Sequence, residues 1–170
     1  VQRPAVNRAD LLQRRGQFPV PPDAPPDIPG LEYAGVVDEL GDGAARWRIG
    51  ERVMGIVGGG SYAEYVVVHE DEALPIPERL SFEQAAAIPE VFLTADDALF
   101  TLMGLRTRES VLIHAAASGV GTAALQLARA IGAFTIGTSR SPEKLGRLHT
   151  YGLDHAIDAS QKDFVDDVMR

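Results

Sequence analysis

The stretch from Ser110 to Ala128 limits most strongly which folds this chain can adopt. It begins with the short apolar run of residues 111–113, passes through small residues and glycines, and continues as an alanine-rich segment with helical spacing. That order is typical of a buried strand, a tight turn and a helix. Gly119 and Gly121 would let backbone N–H groups approach a pyrophosphate, whose charge a helix N-terminus favours. The stretch therefore predicts a dinucleotide-binding turn.

The glycine pattern of this turn differs from the usual G-x-G-x-x-G, because Ala116 stands at its first position. A tight strand-to-helix turn of some other α/β protein is the alternative interpretation. A second apolar run at 134–137 follows the helix at the distance expected of a strand–helix–strand unit. The residues predicted to contact the dinucleotide in this turn are Ala116, Ser118, Gly119, Val120 and Gly121.

Composition excludes several classes of function. The chain has 170 residues, of which 45% are hydrophobic, without the long apolar run of a membrane span or secretory signal. Its formal net charge of -8 argues against a nucleic-acid partner, which needs clustered Lys or Arg. The absence of cysteine excludes disulfides, thiolate catalysis and cysteine-ligated zinc. A reducing compartment is compatible with this, and we expect a cytoplasmic location.

The first half of the sequence has the pattern of a small β domain. It is rich in Pro and Gly, and short strand-like runs occupy residues 33–40, 52–57 and 62–69. These runs predict an antiparallel barrel or sandwich. The proline-rich segment 19–26 cannot be a regular helix or a central strand, so it is predicted to be a surface loop, either a flexible linker or a rigid connection within a domain.

The second half has a helical pattern from Ser81 onward, where Ser81 and Gln84 have capping-box spacing. A further helix is predicted over residues 90–103 and another from Ser141 to about Gly152, followed by a strand at 155–157.

The ends of the sequence predict a fragment of a longer protein. The first residues do not resemble an initiator sequence, and the helix predicted over 163–170 ends with nothing for its apolar face to cover. A doubly wound sheet needs several parallel strands, and only two or three fit after residue 110.

Several short motifs occur in the order found in one known superfamily. They are Asn7-Arg8-Ala9-Asp10, Gly30-Leu31-Glu32-Tyr33-Ala34-Gly35, Gly50-Glu51-Arg52-Val53, Ala85-Ala86-Ala87-Ile88-Pro89 and the glycine turn. With them the chain resembles the medium-chain dehydrogenase/reductase superfamily, and within it the quinone oxidoreductase, or zeta-crystallin-like, branch. The resemblance implies a GroES-like β-barrel-type substrate domain over 1–93. It implies the first part of a Rossmann doubly wound parallel sheet, binding NADPH, over 94–170.

The resemblance also implies chemistry without zinc. Zinc-dependent members of the superfamily carry Cys where this chain has Asn7, and a G-H-E motif where it has Gly30-Leu31-Glu32. A leucine side chain offers zinc no lone pair, and the 4 histidines have no paired metal-ligand spacing. We therefore expect no metal site.

Without a metal to polarise it, the substrate must already be electrophilic. Quinones and α,β-unsaturated carbonyls meet this condition for hydride transfer from a nicotinamide. In the family, the position of Asn7 holds a polar residue beside nicotinamide and substrate, so its amide is predicted to donate to the acceptor oxygen. A helix cap before Asp10 is the alternative role. Thr94 matches a threonine near the nicotinamide carboxamide, unless it bonds its own helix backbone.

The end of the second predicted Rossmann strand favours NADPH over NADH. NAD enzymes usually place an acidic residue there to bind the ribose hydroxyls. Here Ser139, Arg140 and Lys144 form a predicted anion site for the 2′-phosphate. Glu143 follows Pro142 and is expected to stabilise the helix N-terminus instead.

The predicted function is NADPH-dependent, zinc-independent hydride transfer to a small-molecule quinone or enone. An enoyl-thioester reductase domain of a larger synthase and a non-catalytic or truncated NADPH-binding protein are the alternatives. The resemblance implies a homodimer for the full-length protein, and neither nucleic acid nor membrane is expected as a partner.

Overall fold

The computed structural model describes residues 1–22, 24–160 and 164–168. The chain divides into two compact units, Val1–Glu90 and Val91–Arg170. Each unit has its own sheet and its own hydrophobic core. The assignment of residues 1–93 and 94–170 as substrate and cofactor domains stays a prediction.

A four-stranded antiparallel sheet, with the strands in chain order, forms the centre of the N-terminal unit. Its strands are β1 (Arg3–Pro4), β2 (Glu32–Val36), β3 (Arg52–Ile56) and β4 (Ala73–Pro75). Within the described residues, the α-helices that lie entirely in this unit are α1 (Arg8–Arg14) and α2 (Phe82–Ala86). Ser81 caps α2, and its predicted capping box with Gln84 is present.

The alternation of side chains along β2 and β3 gives this sheet a core on each face. Ala34 pairs with Met54 in the register, and both belong to the cluster that includes Ala85 and Ala86 of α2. Neighbouring Tyr33 belongs to a second cluster. Since adjacent strand residues point to opposite faces, one strand serves both cores.

The strand predicted over residues 62–69 is wrong. This stretch is irregular, with Tyr65 70% and Val67 97% exposed. Its alternating composition suits a strand, but a strand exists only when a neighbour pairs with it, and none of the described strands does so. The strand expected over residues 33–40 is also shorter and ends at Val36.

Three parallel strands in the order β5–β6–β7 form the sheet of the C-terminal unit. The strands are β5 (Ser110–Ile113), β6 (Phe134–Ser139) and β7 (His155–Asp158). Helix α4 (Gly119–Ala130) connects β5 to β6, and α5 (Pro142–Leu148) lies between β6 and β7. Parallel pairing puts the carboxyl ends of the strands at one edge of the sheet.

The helix predicted over residues 90–103 is an α-helix in its first part and a π-helix in its second part. Helix α3 covers Pro89–Asp96, and a π-helix continues over Asp97–Leu102 before Gly104, whose φ is 68°. Of the helix predicted over 163–170, residues 161–163, 169 and 170 lie outside the described residues, and α6 covers Val165–Val168. Within the described ranges, every helix is too short or too polar to span a lipid bilayer.

Two glycines allow a paired test of packing. A Cβ on Gly55 would lie 2.7 Å from the backbone oxygen of Glu72 and 2.8 Å from the Tyr33 hydroxyl oxygen, whereas a Cβ on Gly146 in α5 would meet nothing within 4 Å. We expect Gly55→Ala to lower the free energy of unfolding by about 1–3 kcal/mol. Gly146→Ala should raise it by about 0.5–1 kcal/mol through helix propensity. Denaturant unfolding of both variants tests this, and equal effects would contradict it.

Candidate functional site

The glycine turn lies at the carboxyl edge of the parallel sheet. It follows β5 directly, and the backbone N–H of the buried Ala116 donates to the carbonyl oxygen of Thr138 at 2.9 Å. His114 Nδ1 lies 3.2 Å from the Thr138 hydroxyl oxygen. The turn is thus fastened to the end of β6.

Gly121 packs so closely against the turn that no side chain fits there. An added Cβ would lie 2.7 Å from the carbonyl oxygen of Ala115 and 2.6 Å from that of Ala116. Ala115 itself has a φ of 50°, in the left-handed region that L-residues seldom adopt. Backbone, rather than side chains, therefore forms this surface.

Helix α4 begins at this turn with exposed backbone donors. Ser118 is its N-cap, and the Ser118 hydroxyl oxygen accepts from the N–H of Gly121 at 3.1 Å. The N–H groups of Gly119 and Val120 belong to the first turn, where a helix provides no partner. Both residues are exposed. Together with the positive end of the helix dipole, these donors fit the pyrophosphate of a dinucleotide.

The residues predicted to select the cofactor lie at the same edge of the sheet. Ser139 ends β6, and its hydroxyl oxygen accepts from the N–H of Ser141, the N-cap of α5, at 3.2 Å. Within the described part of the chain, Arg140 and Lys144 form no ion pair, and both are exposed.

Glu143 has a different partner from the one expected of a ribose-binding acid. Its Oε1 accepts from Arg147 Nη2 at 3.1 Å, one turn along α5. Glu143 also lies in the first turn of α5, where an acidic side chain suits the helix dipole. Both observations agree with the expectation that Glu143 stabilises the helix.

Thr94 lies on α3 with an exposed side chain that has an interaction within the chain. Its contact with the nicotinamide stays a prediction.

In the N-terminal unit, Asn7 belongs to a network of buried carboxylates. Asn7 is the N-cap of α1 and forms a capping box with Asp10, whose Oδ2 accepts from the Asn7 backbone N–H at 2.6 Å. Asn7 Nδ2 donates to Glu32 Oε1, also at 2.6 Å. The Tyr62 hydroxyl donates to Asp10 Oδ2 at 2.7 Å, and the Glu90 backbone N–H donates to Glu32 Oε2 at 2.8 Å.

The two central carboxylates are almost fully enclosed. Asp10 is 5% exposed and Glu32 is 1% exposed, while Asn7 is half-buried. Among the described residues, neither carboxylate pairs with a cation. Their charge therefore depends on N–H and O–H donors.

Burial raises the pKa of Glu32, and the negative charge of Asp10 adds to this effect, while the hydrogen bonds from Glu90 and Asn7 oppose it. Burial also raises the pKa of Glu90, and repulsion from Glu32 and Asp10 raises it further. Partial burial and the hydrogen bond to Asp10 raise the pKa of Tyr62 to about 12. Tyr62 therefore stays protonated at neutral pH.

Sequence reasoning missed the roles of Asp10, Glu32 and Tyr62 around Asn7. Both acids occur in motifs that were singled out, but their spacing along the chain does not reveal a shared contact with Asn7. A glutamate inside an otherwise apolar strand was the one available signal, because an ionisable residue there needs partners.

No group of three or more His, Cys, Asp or Glu side chains in the described ranges is arranged to hold a metal ion. The residues predicted to replace zinc ligands have other contacts. Leu31 is buried as part of the core, and the Asn7 amide nitrogen donates to Glu32.

A depression of about 540 Å³ lies on the surface of the C-terminal unit, away from the glycine turn. Arg129, Phe134 and His149 are among the residues that line it. Phe134 begins β6, so the depression lies at the amino edge of the sheet, opposite the edge that holds the predicted cofactor residues. It therefore plays no part in the candidate site.

The two glycines of the turn predict different responses to an added methyl group. At Gly121 the obstacle is backbone, so Gly121→Ala should lower the free energy of unfolding by about 1–3 kcal/mol and weaken dinucleotide binding. At Gly119 the nearest atom is Val91 Cγ1 at 3.0 Å, which a side-chain shift relieves. Denaturant unfolding and NADPH titration of both variants check this. Equal stability and affinity in the two variants would show that the close approach at Gly121 is unimportant.

Comparison with known proteins agrees with this geometry. Residues 1–78 match the family model of the alcohol dehydrogenase GroES-like domain, and residues 119–170 match that of the zinc-binding dehydrogenase. The chain is 39% identical over 165 residues to the synaptic vesicle membrane protein VAT-1 homolog of Rattus norvegicus, covering 97% of this chain and 41% of that protein.

Two further matches cover nearly the whole chain. One is to polyketide synthase GfsB of Streptomyces halstedii, 42% identical over 158 residues, which are 93% of this chain and 3% of the synthase. The other is to the crystal structure of Escherichia coli quinone oxidoreductase complexed with NADPH. There the identity is 33% and the TM-score 0.86, over 96% of this chain and 50% of that one.

The chain spans half or less of the length of these relatives. The GroES-like family model coincides with the antiparallel unit, and the dehydrogenase model coincides with α4 and the strands that follow it. The resemblance inferred from the motifs is thereby confirmed. The chain belongs to the medium-chain dehydrogenase/reductase superfamily, within its quinone oxidoreductase branch.

Proposed function

We propose that this chain is part of an NADPH-dependent, zinc-independent reductase acting on quinones or α,β-unsaturated carbonyl compounds. The observation that carries the proposal is the carboxyl edge of the parallel sheet. There the close approach at Gly121 occurs together with Arg140 and Lys144, two cations that form no ion pair with any described residue. When bound, NADPH supplies the hydride. We assign residues 94–170 to cofactor binding and residues 1–93 to the substrate.

NADPH is favoured over NADH by the charges at the end of β6. A 2′-phosphate needs cations and hydroxyl donors, and Ser139, Arg140 and Lys144 provide both. The carboxylate of Glu143 is paired with Arg147 and so does not offset this positive charge at close range. The resemblance to an oxidoreductase solved with NADPH supports the same choice.

Asn7 is the residue to which we assign the acceptor. An amide N–H donating to a carbonyl or quinone oxygen stabilises the negative charge that develops there when carbon receives a hydride. Among the described residues, Asn7 Nδ2 donates to Glu32 alone, which leaves its second proton for this role. Thr94 is assigned to the nicotinamide carboxamide.

The dimeric assembly and cytoplasmic location expected from the resemblance stay predictions.

An enoyl-thioester reductase is the second candidate. It is favoured by the 42% identity to a segment of polyketide synthase GfsB. The electrophilic carbon of an enoyl thioester is chemically equivalent to that of an enone, so the same residues would serve both substrates.

Cofactor selectivity tests the phosphate site. We expect the double variant Arg140→Ala/Lys144→Ala to bind NADPH at least tenfold more weakly, about 1.4 kcal/mol, because two charge-assisted contacts are lost. Its affinity for NADH should change little. The double variant Glu143→Gln/Arg147→Gln, which removes the neighbouring ion pair of the same helix without changing the net charge, is the matched control and should preserve the preference. Titration by NADPH fluorescence gives both constants, and an equal loss for the two cofactors would refute the assignment.

Turnover tests the reaction. The full-length reading frame that contains these residues should oxidise NADPH in the presence of a quinone, an enone or a crotonyl thioester. The loss of NADPH absorbance measures the rate. A clear preference for the thioester would favour the synthase-type reductase. Cofactor binding without turnover on any acceptor would contradict both enzyme functions.

A further inference from the structure

The Asn7 amide is fixed at two points, one on its backbone and one on its side chain. Asp10 Oδ2 accepts from the Asn7 backbone N–H, and Glu32 Oε1 accepts from Asn7 Nδ2. A carboxylate offers no proton, so Glu32 in its charged form can only face the nitrogen of the amide. The direction in which Asn7 presents its remaining N–H therefore depends on Glu32 together with the capping box, in which the Asn7 side chain faces the Asp10 backbone N–H.

Glu32 is itself held in place by backbone. It lies in β2, between β1 and β3, and its second carboxylate oxygen accepts from the Glu90 N–H at 2.8 Å. Since the Glu90 N–H cannot reverse direction, Glu32 must present an acceptor to it. With 1% exposure, the Glu32 side chain has no room to adopt other contacts.

The charged form of Glu32 supplies more acceptors than the Glu90 N–H alone requires. Burying a carboxylate without a cation is unfavourable, and no described cation bonds to Glu32 or to neighbouring Asp10. A neutral acceptor would satisfy the Glu90 N–H. The side chain at position 32 must accept with both of its terminal atoms to bond the Glu90 N–H and Asn7 Nδ2 at the same time. Only then does the Asn7 amide nitrogen face residue 32.

We propose that Glu32 is a positioning residue for the reduction, acting through Asn7. Its carboxylate holds the Asn7 amide so that the second Nδ2 proton is directed to the oxygen of the acceptor. This inference rests on the proposed function, in which Asn7 touches the acceptor.

Glu32→Gln separates positioning from packing. A glutamine has one acceptor oxygen, which the fixed Glu90 N–H will take, so its amide nitrogen faces Asn7. Two N–H groups cannot bond to each other, and Asn7 must turn its Oδ1 inward. We therefore expect Glu32→Gln to reverse the Asn7 amide and lower kcat about ten- to hundredfold, with the Kd for NADPH changed less than about twofold.

A double-mutant cycle with Asn7→Ala decides whether Glu32 acts through Asn7. In the full-length reading frame, adding Glu32→Gln to Asn7→Ala should lower kcat no further. Additive losses, or an unchanged kcat in Glu32→Gln, would overturn the proposal and leave Glu32 as an anchor for α3. If Glu32→Gln does not fold, Glu32→Asp, which withdraws the carboxylate by one methylene, replaces it in the cycle.

The amide orientation has a readout that does not need turnover. Asn7 is the only asparagine of the 170 residues, so with ¹⁵N-asparagine labelling its side-chain signals are identified by their loss in Asn7→Ala. The Nδ2 proton bonded to Glu32 should be shifted downfield and protected from exchange, and Glu32→Gln should abolish both effects.

The two measurements distinguish failure of the proposed function from failure of this inference. Unchanged Asn7 signals in Glu32→Gln would disprove control of the amide by Glu32, whatever the enzyme reduces. A reversed amide in a protein that turns over no acceptor would instead remove the proposed reaction, and with it the positioning role.

Discussion

The C-terminal unit depends on the absence of a side chain at Gly121. Two carbonyl groups of the preceding turn lie where a Cβ would stand, so the first turn of α4 lies directly against the end of β5. This closeness lets the Ala116 N–H reach Thr138 and brings the glycine turn beside the end of β6. This one contact positions both predicted halves of the cofactor site. The halves are the donors of the helix N-terminus and the cations after β6.

The N-terminal unit differs from the C-terminal unit in its polar groups, because it buries negatively charged side chains and does not expose backbone donors. Asp10 and Glu32 are stabilised by N–H and O–H groups from α1, from residue 62 and from the start of α3. Such bonds have direction, whereas a salt bridge with a flexible lysine would leave more freedom. The network therefore fixes orientation more than it contributes stability, which agrees with the donor role proposed for Asn7.

The sequence was sufficient for features encoded by neighbouring residues. The strand, turn and helix around Gly121, the helix cap at Asn7 and the capping box of α2 each depend on residues a few positions apart. The predictions that the sequence did not support involve contacts between residues that are distant in the chain. Residues 62–69 have the composition of a strand but no described neighbour to pair with, and the contact between Asn7 and Glu32 joins residues 25 positions apart. Local propensity contains no information on either.

The contacts of Asn7 show why one residue type would suit both its place in the fold and the chemical role proposed for it. Ser, Thr, Asp and Asn all cap helices well, so the N-cap of α1 alone would accept any of them. Asp would add another negative charge beside Asp10 and Glu32, and Ser or Thr has a single proton that the bond to Glu32 would use. Asn alone caps the helix, donates to a buried carboxylate and keeps one N–H for a third group. A residue that served only as a helix cap would not need that second proton.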